Sequence, residues 1–187
     1  MFLDRDGTMI EDVGYLAALD RIAFYPWTVD AIRMLNRAGL PVVVVTNQSG
    51  IARGLFDEPF VAGTHRHIDA RLAAGGAHVD AYYYCPHHPD GRVAAYARAC
   101  GCRKPGRAMI DQAAADLGLE PARSFVVGDK WTDVQLGRAV GAQAILVRTG
   151  IDSAEESLPP DGVIADAVVD NLAAAVSWIL RNLKSEI

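Results

Sequence analysis

The chain lacks the features that mark membrane and secreted proteins. No apolar run approaches the roughly 18 residues that a membrane-spanning helix needs, and Asp4, Arg5 and Asp6 occupy the stretch where a signal peptide is apolar. There are only three cysteines, an odd number that does not complete a disulfide framework. These absences predict a cytoplasmic protein that keeps its thiols reduced.

An excess of positive charge is also missing. The net charge is −5 and the isoelectric point is near 5.5, so the average field of the protein would repel the phosphates of nucleic acid. No internal repeat, linker or low-complexity tract divides the 187 residues. We therefore expect one domain over 1–187, a monomer that binds neither nucleic acid nor a membrane.

Short apolar runs alternate with segments of helical periodicity. The runs of strand length are 1–3, 40–45, 79–84, 124–127 and 142–147, with 163–169 as a further edge strand. Helical spacing appears in 29–35 before Gly39, in 110–117 before Gly118, and in 172–183. This alternation predicts an α/β protein with a doubly wound, Rossmann-like parallel sheet and helices on both faces. Ligands of such sheets bind beyond the carboxyl ends of the strands.

Two carboxylates follow the first run. Asp4 and Asp6 are separated by one residue and released by Gly7. Because side chains alternate along a strand, Asp4 and Asp6 are expected on one side, with Arg5 pointing away. Two like charges this close favour a cation between them. Taken alone, the tetrad fits an ordinary polar turn about as well as it fits an active site.

Three further polar sites follow later strands. Thr46 opens the cluster Thr46-Asn47-Gln48-Ser49-Gly50, whose hydroxyl and N–H groups can hold phosphoryl oxygens, although a polar turn is the alternative. Lys104 lies at the predicted start of the helix over 110–117, where a cation opposes the helix dipole and suggests a negative ligand. Asp129 follows a buried strand and Gly128, a position suited to a Mg²⁺ ligand.

In this order the four sites resemble the motifs of the haloacid dehalogenase superfamily. The matching positions are Asp4-x-Asp6-Gly7-Thr8, Thr46, Lys104 and Gly128-Asp129, and they extend across nearly the whole chain. The resemblance implies a capless phosphatase in which Asp4 is the nucleophile and Asp6 the general acid and base. It also implies Mg²⁺ held by Asp4, the carbonyl of Asp6 and Asp129, with Thr46 and Lys104 holding the phosphoryl oxygens. Asp133 would coordinate through water or support Lys130.

All three cysteines lie in one window. Cys85-Pro86-His87-His88 is followed by Cys100-Gly101-Cys102. Three thiolates and one imidazole form a closed, structural zinc site. The spacing favours Cys85, His87, Cys100 and Cys102 as ligands, with His88 spare, in a zinc loop over 85–102. Redox or incidental cysteines are the alternative. The loop leads directly into Arg103 and Lys104, so zinc would position these cations rather than perform chemistry.

Within the superfamily, this loop resembles that of the heptose bisphosphate phosphatases and of the related histidinol phosphatases. The first group implies removal of the 7-phosphate from D-glycero-D-manno-heptose 1,7-bisphosphate through an aspartyl-phosphate intermediate, in the biosynthesis of ADP-heptose or another nucleotide-activated heptose. The implied substrate-facing residues are Asp12, Val13, Gly14, Tyr15, Thr46, Asn47, Gln48, Ser49, Arg103, Lys104 and Lys130. For a second phosphate, Arg103 is the first candidate and Arg53 a weaker one. Only residues 1–3 precede Asp4, fewer than family members commonly carry, so the first strand should be short.

Two other hypotheses remain open at this stage. The same fold could act on histidinol phosphate or another small phosphomonoester. A non-catalytic binding module stabilised by zinc is a different class, but such a module has no need for an acid-base carboxylate beside a nucleophile. The anomer, the pathway and the oligomeric state are left open by the sequence.

Overall fold

The computed structural model of this chain describes residues 1–150 and 159–183. Two parts of the domain predicted over 1–187, namely 151–158 and 184–187, lie outside the described residues. The strands are β1 (Phe2–Leu3), β2 (Val43–Asn47), β3 (Ala81–Cys85), β4 (Phe125–Gly128), β5 (Gln143–Val147) and β6 (Ala167–Val169). The helices are α1 (Thr28–Arg37), α2 (Gly50–Arg53), α3 (Glu58–Ala74), α4 (Ala108–Leu117), α5 (Trp131–Ala139) and α6 (Leu172–Leu183).

The strands form one parallel sheet in the order β3-β2-β1-β4-β5-β6. This confirms the doubly wound fold. The strand order reverses between β1 and β4, since β1 pairs with β2 on one side and with β4 on the other. Phe2 is aligned with Val43 and with Val126 in these two pairings. The residues that follow β1 therefore emerge at the switch in strand order, where such folds bind ligands.

Helices cover both faces of the sheet. On one face, α1, α3 and α6 pack around Leu3, Val44 and Val127, and on the other α4 and α5 pack around Phe2 and Val126. Neighbouring strand residues thus enter opposite cores, which is why the valine-rich runs show no polar alternation. Because each strand is buried on both faces, its position along the sheet is fixed. The polar residues that follow each strand are therefore fixed in position as well.

The element boundaries differ from the sequence-based expectation at two informative places. β2 begins after Pro41, which lacks an N–H for the sheet, and continues through Asn47, so that Thr46 lies within the strand. α4 begins at Ala108, so Lys104 precedes the helix instead of opening it. Among the described residues, no helix is both long and apolar enough to cross a membrane.

Candidate active site

Lys104 is buried at the centre of the site and pairs with two carboxylates. Its Nζ lies 2.8 Å from Asp4 Oδ1, 2.6 Å from Asp133 Oδ1 and 3.1 Å from the carbonyl oxygen of Val45. Burial alone would lower the pKa of Lys104, but Asp133 and Asp4 outweigh it and raise the pKa above its usual value. Two carboxylates of the chain itself thus already pair with Lys104, and its contact with a phosphoryl group stays a prediction.

Asp4 is held as an ionised carboxylate. Its Oδ1 accepts a hydrogen bond from the backbone N–H of Arg5 at 2.8 Å, in addition to the ion pair with Lys104. Burial acts to raise the pKa of Asp4, but the charge and hydrogen bonds of Lys104, with the Arg5 N–H, lower it overall. An ionised carboxylate is the form that can attack an electrophile.

Asp129 has the opposite environment. Its side chain is fully buried, and neither carboxylate oxygen has a hydrogen-bond partner among the described residues. Burial, followed by repulsion from Asp4 and Asp133, raises the pKa of Asp129 to about 9. The Nζ of Lys130 lies 3.9 Å from Asp129 Oδ2 and offsets only part of this. A buried carboxylate with two unpartnered oxygens needs a cation.

The donor set fits Mg²⁺. Asp4, Asp129 and Asp133 each offer an oxygen, and these oxygens lie within 4.8 Å of one another. Carboxylate oxygens are the ligands that Mg²⁺ prefers, usually one or two together with phosphate and water. Lys104 pairs with both Asp4 Oδ1 and Asp133 Oδ1, whereas neither oxygen of Asp129 has a hydrogen-bond partner among the described residues, so Asp129 is the carboxylate with the most to gain from the ion. A role for the Asp6 carbonyl stays a prediction.

Arg5 was expected to point away from the two aspartates, and this was wrong. Its Nε and Nη2 donate to Asp6 Oδ2 and Oδ1, each at 3.1 Å, and its side chain is only 2 % exposed. The reason is local: β1 ends at Leu3, so strand alternation does not extend to residues 4–6. Gln48 Nε2 also donates to Asp6 Oδ2, at 2.9 Å, and the hydroxyl of Thr46 lies 3.5 Å from it.

A pocket of about 420 Å³ opens above these carboxylates. Most of the residues expected to face substrate line it, namely Asp12, Gly14, Tyr15, Thr46, Asn47, Gln48, Ser49, Arg103, Lys104 and Lys130. Val13 instead packs against the apolar core, and its contact with substrate stays a prediction. The pocket also reaches Leu16, Phe56 and Thr132, which the sequence analysis missed because no polar motif marks them.

Cations gather at the rim of this pocket. Lys130 Nζ pairs with Asp12 Oδ2 at 3.1 Å, and its pKa is raised because Asp129 and Asp12 outweigh the opposing effect of burial. One guanidinium nitrogen of Arg103 is buried without a hydrogen-bond partner among the described residues. Arg53 lies with its guanidinium carbon 5.9 Å from the ring centroid of Tyr15. Arg103 and Lys130 thus add positive charge to the pocket besides that of Lys104.

The predicted zinc ligands come together beyond edge strand β3. The shortest contacts of Cys102 Sγ are 3.1 Å to Cys85 Sγ, 3.3 Å to Cys100 Sγ and 3.4 Å to His87 Nδ1. A tetrahedral site with Zn–S bonds of ~2.3 Å separates its sulfur ligands by about 3.8 Å, so this cluster needs little adjustment to hold zinc. All three cysteines are free thiols. His88 lies outside the cluster and contacts Arg53, at 3.3 Å from its Nη2.

Asn47 joins the end of this loop to the sheet. Its Oδ1 accepts from the backbone N–H of Lys104 at 3.0 Å, and its Nδ2 donates to the Lys104 carbonyl at 3.4 Å. This pairing fixes the backbone that follows Cys102 against the end of β2. Lys104 is thereby held both through its backbone and through its ammonium group.

Asp133 makes more contacts within the candidate site than the sequence indicated. It is buried, pairs with Lys104, and accepts a hydrogen bond from the backbone N–H of Lys130 at 3.2 Å. The support for Lys130 expected from Asp133 thus acts on its backbone. The available signal was an acidic residue three positions after the N-cap of α5, a spacing at which its carboxylate can accept from the backbone N–H of the cap residue.

Comparison with known families agrees with this geometry. The HAD-hydrolase-like family model matches residues 101–175. The chain is 42 % identical over 186 residues to the D-glycero-beta-D-manno-heptose-1,7-bisphosphate 7-phosphatase of Escherichia coli strain K12, covering 98 % of this chain and 95 % of that protein. It is 40 % identical over 184 residues to the enzyme of the same name from Yersinia pestis, covering 98 % and 90 %.

A solved structure is similar over the same extent. The D,D-heptose 1,7-bisphosphate phosphatase from B. bronchiseptica, crystallised with magnesium and phosphate, superposes with a TM-score of 0.84 at 34 % identity. The similarity covers 97 % of this chain and 98 % of that one. Fold and sequence similarity thus extend together across the sheet and the loops that form the pocket.

Proposed function

This chain belongs to the heptose bisphosphate phosphatases of the haloacid dehalogenase-like hydrolases, and on that premise we propose that it removes the 7-phosphate of D-glycero-D-manno-heptose 1,7-bisphosphate. One observation carries the proposal beyond family membership. The floor of the pocket holds an ionised Asp4 beside Lys104, while Lys130 and Arg103 line the same pocket. A bisphosphate needs two anion sites that share one cavity.

Asp4 is the nucleophile in this proposal. Lys104 and the Arg5 N–H hold the carboxylate through Oδ1, and one of its two oxygens attacks phosphorus. A bond forms between this oxygen and phosphorus as the bond to the sugar oxygen breaks. Asp6 donates a proton to that leaving oxygen, so that the sugar departs as an alcohol.

Hydrolysis of the aspartyl-phosphate uses the same pair of residues. Asp6, now ionised, takes a proton from water, and the water oxygen attacks phosphorus. The bond to Asp4 breaks, releasing inorganic phosphate and restoring the free carboxylate. Two carboxylates are required because the one that is esterified cannot also transfer the proton.

Charge compensation comes from the floor of the site. Lys104 and the hydroxyl of Thr46 hold phosphoryl oxygens, and Lys104 keeps its charge there because of its carboxylate neighbours. Asp4 and Asp129 would hold Mg²⁺, which when bound offsets the repulsion between the nucleophile and the phosphate. Positioning and charge stabilisation account for most of phosphoryl-transfer catalysis.

Zinc has a structural role in this proposal. Cys85, His87, Cys100 and Cys102 would hold it as a closed four-ligand site without an open position for substrate. The loop ends immediately before Arg103 and Lys104, so chelation limits the motion of both cations. Metal analysis of purified protein after dialysis tests this, with about one zinc per chain expected.

Steady-state kinetics with a substrate panel tests the assignment of substrate. We expect kcat/KM for the heptose bisphosphate to exceed that for histidinol phosphate by at least ~10²-fold, because only the bisphosphate uses the cations at the rim. Phosphorus NMR of the product identifies which phosphate remains. A comparable or higher kcat/KM for histidinol phosphate, or a product that has lost the anomeric phosphate, would reject the assignment.

A further inference from the structure

Arg5 is a buried charged side chain that the proposed chemistry does not use. It lies between the two catalytic aspartates in sequence, and its guanidinium contacts only one of the two carboxylates, that of Asp6. Gln48 and Thr46 both approach Oδ2 of Asp6, whereas Arg5 donates to Oδ1 and Oδ2 together. A two-point contact of this kind fixes the plane of a carboxylate as well as its position.

The third nitrogen of the guanidinium faces a histidine. Arg5 Nη1 lies 3.4 Å from Nε2 of His65, which is on α3 and only 8 % exposed. Arginine can only donate, so Nε2 must accept, and the imidazole proton is on Nδ1. Burial and then the charge of Arg5 lower the pKa of His65 to about 3, which keeps the ring neutral and able to accept at neutral pH.

His65 is itself fixed by two tyrosines of β3. Its ring stacks on Tyr82 with centroids 4.2 Å apart and an interplanar angle of 15°, and meets the edge of Tyr84 at 6.1 Å. The hydroxyl of Tyr82 donates to Asp69 Oδ1 at 2.6 Å, on the same helix as His65. A continuous line of contacts therefore extends from the outer surface of α3 and β3 to the carboxylate of Asp6.

We propose that Arg5, supported by His65, is a positioning residue that orients the Asp6 carboxylate for proton transfer to the leaving oxygen. The inference rests on the proposed function, in which Asp6 is the general acid. A proton donor must be held within hydrogen-bond reach of the oxygen it protonates. Rotation of the Asp6 carboxylate would remove that reach without changing the nucleophile or the floor of the pocket.

Dependence on the leaving group separates this role from a merely structural one. A sugar phosphate releases an alkoxide that needs a proton, whereas p-nitrophenyl phosphate releases a stable phenolate that hardly does. The ratio kcat/KM reports the steps through the first phosphoryl transfer for both. Loss of a correctly oriented acid should therefore lower kcat/KM for the sugar phosphate selectively, and damage to the fold should lower both.

Arg5→Lys keeps the charge but cannot form the two-point contact. For the magnesium- and zinc-loaded enzyme we expect it to lower kcat/KM for the heptose bisphosphate about 30-fold, and for p-nitrophenyl phosphate less than about 3-fold. His65→Phe keeps the stacking on Tyr82 and removes only the acceptor, and should cause a selective loss of about 5-fold. His67→Phe, at an exposed position of the same helix, is the matched control and should behave as wild type.

Asp6→Asn distinguishes failure of the inference from failure of the proposed function. It should show the same selectivity as Arg5→Lys, with a larger loss on the sugar phosphate. Equal losses on both substrates in Asp6→Asn would reject Asp6 as the acid, and the inference with it. Selective loss in Asp6→Asn but equal losses, or none, in Arg5→Lys and His65→Phe would overturn the inference alone. Should Arg5→Lys fail to fold, the milder His65→Phe decides by the same ratio.

Discussion

Two clusters of candidate metal ligands lie at the same end of the sheet, and they are built in opposite ways. The acid cluster, Asp4, Asp129 and Asp133, is fully buried between the ends of β1 and β4 and is contacted by Lys104. The thiol cluster, Cys85, His87, Cys100 and Cys102, lies beyond edge strand β3 and is mostly half-buried. The ends of β1 and β4 and the first turn of α5 hold the first cluster in place, whereas a long loop carries most of the second.

The difference predicts different roles for the two proposed metals. The surrounding core fixes the positions of the acid cluster, and repulsion among its members favours a cation between them. Cys85 is the last residue of β3, but the other three members of the thiol cluster lie on a loop without strands or helices of its own, so the ligands themselves must hold that loop together. We expect removal of Mg²⁺ to abolish catalysis with little structural change, and removal of zinc to disorder the loop and impair catalysis through Arg103 and Lys104.

The largest expected effect is that of Asp4→Asn. An amide does not form the acyl phosphate, so kcat should fall at least ~10³-fold. The thiol cluster is separate, and zinc content should stay that of the wild type. Phosphate release and metal analysis measure the two properties, with Asp30→Asn on the surface of α1 as control. Residual activity above about 1 % would exclude Asp4 as the nucleophile.

Gly7→Ala would introduce a steric clash into the acid cluster. A Cβ at residue 7 would lie 2.5 Å from Asp129 Oδ2, and the backbone there has φ +81°. Displacement of the Asp129 carboxylate should raise the Mg²⁺ concentration needed for half-maximal activity and lower kcat about 10²-fold. Gly39→Ala is the control for backbone strain, since it has φ +71° and no atom within 4 Å of the new Cβ. Similar losses in both variants would show that strain alone is responsible.

His87→Ala and His88→Ala form a matched pair for the thiol cluster. Only His87 lies within it. The His87 variant should lose zinc on dialysis, melt at a lower temperature, and lose about 10-fold in kcat/KM because Arg103 and Lys104 are less well positioned. The His88 variant should keep its zinc. Equal zinc contents in the two variants would refute the assigned ligand set.

The smallest effect concerns pH and the metal-free acid cluster. The pKa of Asp129 is about 9 in the folded protein against an ordinary value of 3.8, so between these values the folded protein holds a proton that the unfolded chain has lost. Stability should therefore fall as pH rises from about 4 to 9. Asp129→Asn should raise the free energy of unfolding at pH 8 by about 2 kcal/mol without metal.

Urea unfolding with and without Mg²⁺, at pH 5 and pH 8, measures this effect. Mg²⁺ should stabilise the wild type more at pH 8 than at pH 5 and should not stabilise Asp129→Asn. Asp20→Asn, an exposed position, controls for the general change in charge. Identical pH dependence in the wild type and in Asp129→Asn would contradict the unusual pKa of Asp129.

Much of the fold and the outline of the site follow from sequence because the signals are local. Valine-rich runs between helical segments define a parallel sheet, and the topology then brings Asp4, Thr46 and Asp129 to one edge of it. The ligands of the thiol cluster are likewise separated by short spacings that the chain itself displays. In each case the residue type, its position in the sequence relative to a strand and the strand order are sufficient to predict which residues come together.

The orientations that sequence did not predict depend on contacts between distant segments. Arg5 turns back to Asp6 because β1 ends before residue 5. His65 contacts Arg5 only because α3 packs over β3. Asp133 pairs with Lys104 across the sheet. Helical or strand periodicity carries no information about such partners, since each is chosen by packing.

The shortness of β1 has a consequence for the order in which activity appears during synthesis. β1 has two residues and occupies the middle of the sheet, between β2 and β4. The N–H of Asp4 donates to the carbonyl of Val127 at 2.9 Å. Asp4, the proposed nucleophile, is synthesised before β4 but gains its place only when β4 has emerged from the ribosome. Phosphatase activity should therefore be absent from nascent chains that stop before Phe125.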